Sequence, residues 1–157
     1  MGINTCMIKI GPMGKNSENV WDERGHTKIV QIFVSYDTMI HSIQVQCACD
    51  CENGKLENGK LVLSDRHGQN TGDKFSVVRF DYPSEYIVYV KGRYGQTCIT
   101  SITFGTNLRT HGPFGEPLNT DKEFMLDLGS KAKDQFGGFH GAADNVLRSI
   151  GMYINPI

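Results

Sequence analysis

A seven-residue pattern occurs three times in this chain and limits the folds open to it. Asp37-Thr-Met-Ile-His-Ser-Ile43, Gln96-Thr-Cys-Ile-Thr-Ser-Ile102 and Asp144-Asn-Val-Leu-Arg-Ser-Ile150 all read polar, polar, apolar, aliphatic, polar, Ser, Ile. Their starts at 37, 96 and 144 lie 59 and 48 residues apart, a spacing at which a repeat marks one supersecondary unit used several times. A second echo runs between Ile10-Gly-Pro-Met-Gly14 and His111-Gly-Pro-Phe-Gly115.

The segments around these motifs have the character of strands. Lys28 to Tyr36, Phe75 to Phe80, Tyr86 to Val90 and Ile99 to Phe104 are short, rich in β-branched and aromatic residues, and bounded by turn residues. The best helical candidate, Asp144 to Ser149, is too short and is too quickly followed by Gly151. An all-β fold follows. Three units, each supplying one small sheet to a shared core, predict a prism rather than a two-layer sandwich. Glu52-Asn-Gly-Lys-Leu56 is repeated immediately as Glu57-Asn-Gly-Lys-Leu61 and reads as a hairpin lengthened by a neutral insertion at its tip.

The 157 residues are read as one domain, 1–157. Lys plus Arg number 16 against 17 for Asp plus Glu, and the basic residues are scattered, so no field draws nucleic acid or an anionic membrane. No apolar run reaches the length of a membrane span. Five cysteines, an odd number, together with the lack of any Asn-x-Ser/Thr sequon, place the chain in a reducing, cytoplasmic setting. Cys47, Cys49 and Cys51 alternate and would share one face of a strand. Three thiolates on one strand do not close a tetrahedron, so they are read as buried thiols, with neither metal nor cofactor expected.

Catalysis finds little support. There is no Gly-x-Ser-x-Gly elbow. Gly11-Pro-Met-Gly14-Lys15 lacks the Gly-Lys-Ser/Thr ending of a phosphate loop. Cys98 with His67, His111 or His140, each beside glycine and expected in loops, is the one conceivable nucleophile and base. Trp21 reads as a structural anchor. Tyr94 and Phe139 lie in glycine-flanked turns, where a ring on a rigid scaffold could meet a ligand.

Six segments in order, Ile10 to Gly14, Trp21-Asp22, Gln31 to Ser35, Arg109 to Gly115, Gly138 to Gly141 and Ser149 to Tyr153, carry a resemblance over nearly the whole chain. The sequence resembles the jacalin-related lectin domain, in its plant, cytosolic, mannose-type branch. The resemblance implies a β-prism I of three four-stranded Greek-key sheets with pseudo-threefold symmetry, a non-catalytic carbohydrate-binding role and a link to plant defence. It implies a sugar site made by a glycine-rich N-terminal loop, here Gly14 and Lys15, and by a Gly-x-x-x-Asp segment in the last repeat, here Asp144, Asn145, Val146 and Arg148.

The chemistry of such a site is simple. An ionised Asp accepts from two adjacent sugar hydroxyls, while turn N–H groups donate to the same oxygens. This sequence departs from the pattern: the family glycine falls on Asp144 and the family aspartate on Arg148, so an acceptor has become a donor. Each hydrogen bond to a charged group contributes roughly 1.5–3 kcal/mol, against about 4 kcal/mol for a whole site of millimolar affinity. Arg148 is expected to pair with Asp144 and close the pocket. The expected partner is a mannose-type or extended oligosaccharide or, alternatively, a protein bound by a scaffold with a degenerate sugar site. A homodimer is expected as well.

Overall fold

The computed structural model describes residues 6–48, 60–129 and 132–156. They form thirteen strands: β1 (Ile8–Gly14), β2 (Val20–Asp22), β3 (Ile29–Tyr36), β4 (Ile40–Ala48), β5 (Leu61–Leu63), β6 (His67–Gly68), β7 (Lys74–Arg79), β8 (Ile87–Tyr94), β9 (Ile99–Thr106), β10 (Thr110–Gly115), β11 (Lys122–Asp127), β12 (Phe136–Ala143) and β13 (Leu147–Ile154). All pairings are antiparallel and they make three sheets: β1-β13-β12-β2, β5-β4-β3-β7 and β10-β9-β8-β11. In the second, the outer position beside β4 is shared by two short pieces, β5 and β6.

Each sheet has the same plan. A central hairpin (β3-β4, β8-β9, β12-β13) is flanked by one strand on either side. The sheets are not three consecutive blocks of sequence, however. The hairpin of the last repeat is completed by β1 and β2 from the other end of the chain, so this sheet ties the two ends of the described chain together.

The repeated motif is explained by where its residues fall. Ile43, Ile102 and Ile150 are fully buried on the second strand of each central hairpin and meet in one core with Ile32, Val34, Val90, Phe104, Phe139, Leu147 and Met152. Burial of each isoleucine contributes about 1.5–3 kcal/mol, which fixes the register of the strand that carries it. Cys47 points into this core, while Cys49 and Cys51 lie outside the described residues, as does nearly all of the Asn-Gly duplication.

Two expectations are corrected. Phe139 is not on a ligand loop: it lies on β12 at 1 % exposure, with Phe136 and Phe104 against it at centroid distances of 4.8 and 6.2 Å. A flanking glycine marks a turn only where the chain reverses, and here Gly137, Gly138 and Gly141 instead let neighbouring backbone close on the strand. His67, His111 and His140 are strand residues for the same reason. His67 stacks on Trp21 at 3.9 Å and bonds the buried Glu23. His111 lies 2.9 Å from the buried Glu85 with Phe80 stacked on it, and His140 Nε2 meets the carbonyl of Ile10 at 2.9 Å.

Candidate functional site

The three central hairpins turn at the same end of the molecule, and each turn begins with a repeat motif. In the first, the Asp37 N–H donates to the Met39 carbonyl at 3.0 Å. In the third, the Asp144 N–H donates to the Val146 carbonyl at 3.1 Å. The middle turn is closed by the Gly95 N–H on the Cys98 carbonyl at 3.0 Å. Asp144 suits this position because its Oδ1 accepts the Asn145 N–H at 2.7 Å and the Val146 N–H, two residues on, at 3.5 Å, the second closing an Asx-type turn within the loop itself.

The fifth residue of each motif is the second on the strand that leaves the turn. Here the repeats diverge in chemistry and agree in geometry. Arg148 Nε donates to Asp144 Oδ1 at 2.8 Å, and His41 Nε2 lies 2.9 Å from Asp37 Oδ1. Thr100 has no acid at the head of its own motif and donates instead to Asp121 Oδ2 at 2.7 Å. Paired with the serine that follows, a glycine of the outer strand comes up against the fifth residue's carbonyl in each sheet: Gly14, Gly68 and Gly115, all with positive φ. A Cβ on Gly14 would stand 2.5 Å from the Arg148 carbonyl oxygen, and on Gly68 or Gly115 it would overlap the carbonyl oxygen of His41 or Thr100. Only glycine fits where two backbones come this close with φ positive. The site is thus one device built three times.

The turns are joined to each other. Arg148 Nη1 donates to the Thr97 carbonyl at 2.9 Å, strapping the third turn to the second, and Nη2 donates to Asn145 Oδ1 at 3.0 Å. Cys98 Sγ lies 3.8 Å from Met39 Sδ, joining the second turn to the first. Lys15 follows Gly14 across the same end: its N–H donates to the Arg148 carbonyl at 2.9 Å, and its ammonium stands 6.0 Å from the Tyr94 ring centre. Gly14, Lys15, Tyr94, Asp144, Asn145 and Arg148 are therefore one cluster. Val146 is buried, so the loop presents its backbone rather than its side chain.

Electrostatically the Arg148–Asp144 pair dominates the third turn. Burial raises the Asp144 pKa, but the Arg148 hydrogen bond and turn N–H groups outweigh it and hold the carboxyl below its ordinary value. Oδ1 is occupied by Arg148 and Asn145, and Oδ2 has Ser17 Oγ at 3.5 Å. Arg148 uses three of its five N–H donors within the protein. The pair expected from the sequence is formed.

Thr97, Ser17 and the twin glycines were not legible as site residues. Thr97 contributes only a carbonyl, and Gly68 lacks the Gly-Pro-x-Gly frame that Gly14 and Gly115 share. A nucleophilic reading of Cys98 has no geometry behind it. Burial pushes its thiol up, its neighbour is a thioether, and the three histidines bond elsewhere.

Comparison with known proteins gives a consistent answer. The family described as the jacalin-like lectin domain matches residues 10–153. The chain is 40 % identical to the Arabidopsis thaliana Protein RESTRICTED TEV MOVEMENT 1, over 95 % of this chain and 87 % of that one. Among solved structures, a mannose-specific jacalin-related lectin from Morus nigra in complex with mannose superposes with a TM-score of 0.79 at 27 % identity, covering 96 % of this chain and 95 % of that one. A mannose binding jacalin related lectin from Ananas comosus gives 0.77 at 27 % identity, covering 96 % and 99 %.

Proposed function

Because this chain belongs to the jacalin-like lectin domain family, we propose that it is a carbohydrate-binding domain whose site is the end where the three turns meet, and that it catalyses no reaction. The observation that carries this reading is the glycine-and-turn device: Gly14 is seated against the Arg148 carbonyl, with N–H groups and the Lys15–Tyr94 wall around it. Mannose-type ligands are favoured, since the solved relatives at this level of likeness include mannose binders.

Arg148 and Asp144 spend on each other the hydrogen-bonding capacity that would grip a single hexose, so the ligand is an extended oligosaccharide that gains contacts along the rim. A broad glycan array is the test. Signal on mannose-containing oligosaccharides and little on monosaccharides supports the reading. An array with no signal, together with flat calorimetry against mannose, galactose and glucose, overturns it.

A second reading is favoured by the 40 % identity to Protein RESTRICTED TEV MOVEMENT 1: a protein-interaction scaffold in plant antiviral defence, acting in the cytoplasm. The closed Arg148–Asp144 pair suits a surface released from sugar binding. The two readings separate when both residues are replaced by bulky side chains that block the turn end, Asp144→Trp with Arg148→Trp. Loss of glycan binding with protein partners retained supports the lectin, and the reverse supports the scaffold. In either case the proposal includes a homodimer joined through the outer face of the β5-β4-β3-β7 sheet, where Leu63, Phe75 and Val77 are exposed.

A further inference from the structure

The outer face of the β10-β9-β8-β11 sheet carries a groove of about 630 Å³, a volume within the range of small-molecule sites. We propose that this groove is a second ligand site, separate from the turn end, and that it takes a flat, uncharged apolar molecule bearing hydroxyl groups, a hydroxylated aromatic. The proposal stands on the groove alone and does not depend on sugar binding at the turns.

The groove follows from residue size. On β9, Ile102 and Phe104 point into the core, so Ser101 and Thr103 point outward. Both are small. Beside Ser101 on β10 lies Gly115, which adds no side chain, while the long Arg93 and Lys91 stand beside Ser101 and Thr103 on β8. The floor therefore lies below its rims. Pro113 and Pro117 bound it towards β10, and the exposed Met125 bounds it towards β11. The connection that carries Pro117 is held in place. Arg93 Nη2 donates to the carbonyls of Asn119 and Asp121 at 3.2 and 2.9 Å, and Asp121 Oδ2 accepts the Leu118 N–H at 2.9 Å. Preorganisation of this kind lowers the entropy lost on binding.

The ligand is selected by hydrogen-bonding capacity left unused at the floor. Ser101 and Thr103 are only 5 % and 3 % exposed, and neither hydroxyl has a hydrogen-bond partner among the described residues. Arg93 Nε is likewise buried without a partner. Buried polar groups are ordinarily paired. An incoming hydroxyl both donates and accepts, so it satisfies a serine or threonine hydroxyl in either sense and also accepts from a guanidinium N–H. Charge adds little to the choice: Lys91 and Glu123 have opposite signs, and Arg93 is turned to carbonyls. With proline and methionine for walls, the body that carries the hydroxyls has to be apolar, which separates this ligand from a sugar.

The compound 4′,7-dihydroxyflavone has this chemistry, and flavone is the same ring system without hydroxyl groups. In equilibrium dialysis against the folded protein, the dihydroxy compound is expected to bind saturably, one-to-one, and at least about fivefold more tightly than flavone. Thr103→Val keeps the side-chain shape and removes the hydroxyl. It should weaken the dihydroxy compound by up to about tenfold, the scale of one hydrogen bond, and leave flavone unchanged. Ser101→Ala should act in the same way, and it decides the matter if the threonine variant does not fold. Met125→Asp should weaken both compounds. Tyr82→Ala, which alters a different cavity, should weaken neither. Absence of saturable binding overturns the proposal, as does equal affinity for the two compounds or indifference to both hydroxyl deletions. Loss of binding on Tyr82→Ala, or displacement by excess methyl α-mannoside, places the compound elsewhere and overturns it too.

Discussion

Gly115 and Gly25 both have positive φ, yet the structure gives them different weight. Around Gly25 there is open space, whereas a Cβ on Gly115 would overlap the Thr100 carbonyl oxygen, which is backbone and has little freedom to move. Gly25→Ala should therefore cost only the conformational penalty, about 1–2 kcal/mol. Gly115→Ala should cost about 1–3 kcal/mol more, because it forces β10 away from β9. Urea denaturation of the two variants checks the difference, and equal midpoints would show that the close approach has no energetic weight. The sequence marks Gly25 only as a glycine and Gly115 as the last residue of the Gly-Pro-x-Gly echo. What separates them is a neighbour on another strand, and no local pattern records that neighbour.

Among the elements, the junction between β2 and β6 has a marked dependence on pH. Burial by itself would raise the Glu23 pKa, but the His26 and His67 imidazoles outweigh it and lower it to about 2. His26 is raised in return, chiefly by Glu23. For the carboxylate, the depressed folded value means that its stabilisation is complete above its unfolded value near 4.5 and is lost as pH falls towards about 2. For His26, the raised folded value means a contribution complete below 6.5 and lost as pH rises through the folded value. The junction is strongest between these limits. Thermal unfolding of Glu23→Gln against the unaltered protein should show the largest gap at mildly acidic pH, shrinking on both sides. A gap that does not vary with pH would refute the ionic account. The strands were legible because alternation and β-branching set them locally, as for β3 and β9. The junction was not, since Trp21, Glu23 and His67 are far apart in sequence and meet only after two sheets form.

For the whole molecule, the repeat was the decisive signal: three copies of one hairpin turn imply three sheets around one axis, and they are found there. The resemblance supplied the cluster at the turn end, and the structure brings Gly14, Lys15, Tyr94, Asp144, Asn145 and Arg148 together. Phe139 was misread because glycine flanks resemble a turn whether they bend a chain or admit a neighbour. Sedimentation velocity at micromolar concentration should give a dimer, and Phe75→Glu should convert it to monomer; a monomer before mutation would contradict that assembly. The central claim is that the turn end is a carbohydrate site narrowed by the Arg148–Asp144 pair. As a partly exposed pair it contributes less than about 1 kcal/mol to stability, so it can be replaced without unfolding the protein. Titration calorimetry of Arg148→Asp with Asp144→Gly against mannose is the most direct measurement: the account predicts normal folding and an affinity at least about tenfold above the unaltered protein, equivalent to one recovered hydrogen bond to a charged group. A double variant that folds normally and binds mannose no better would contradict it.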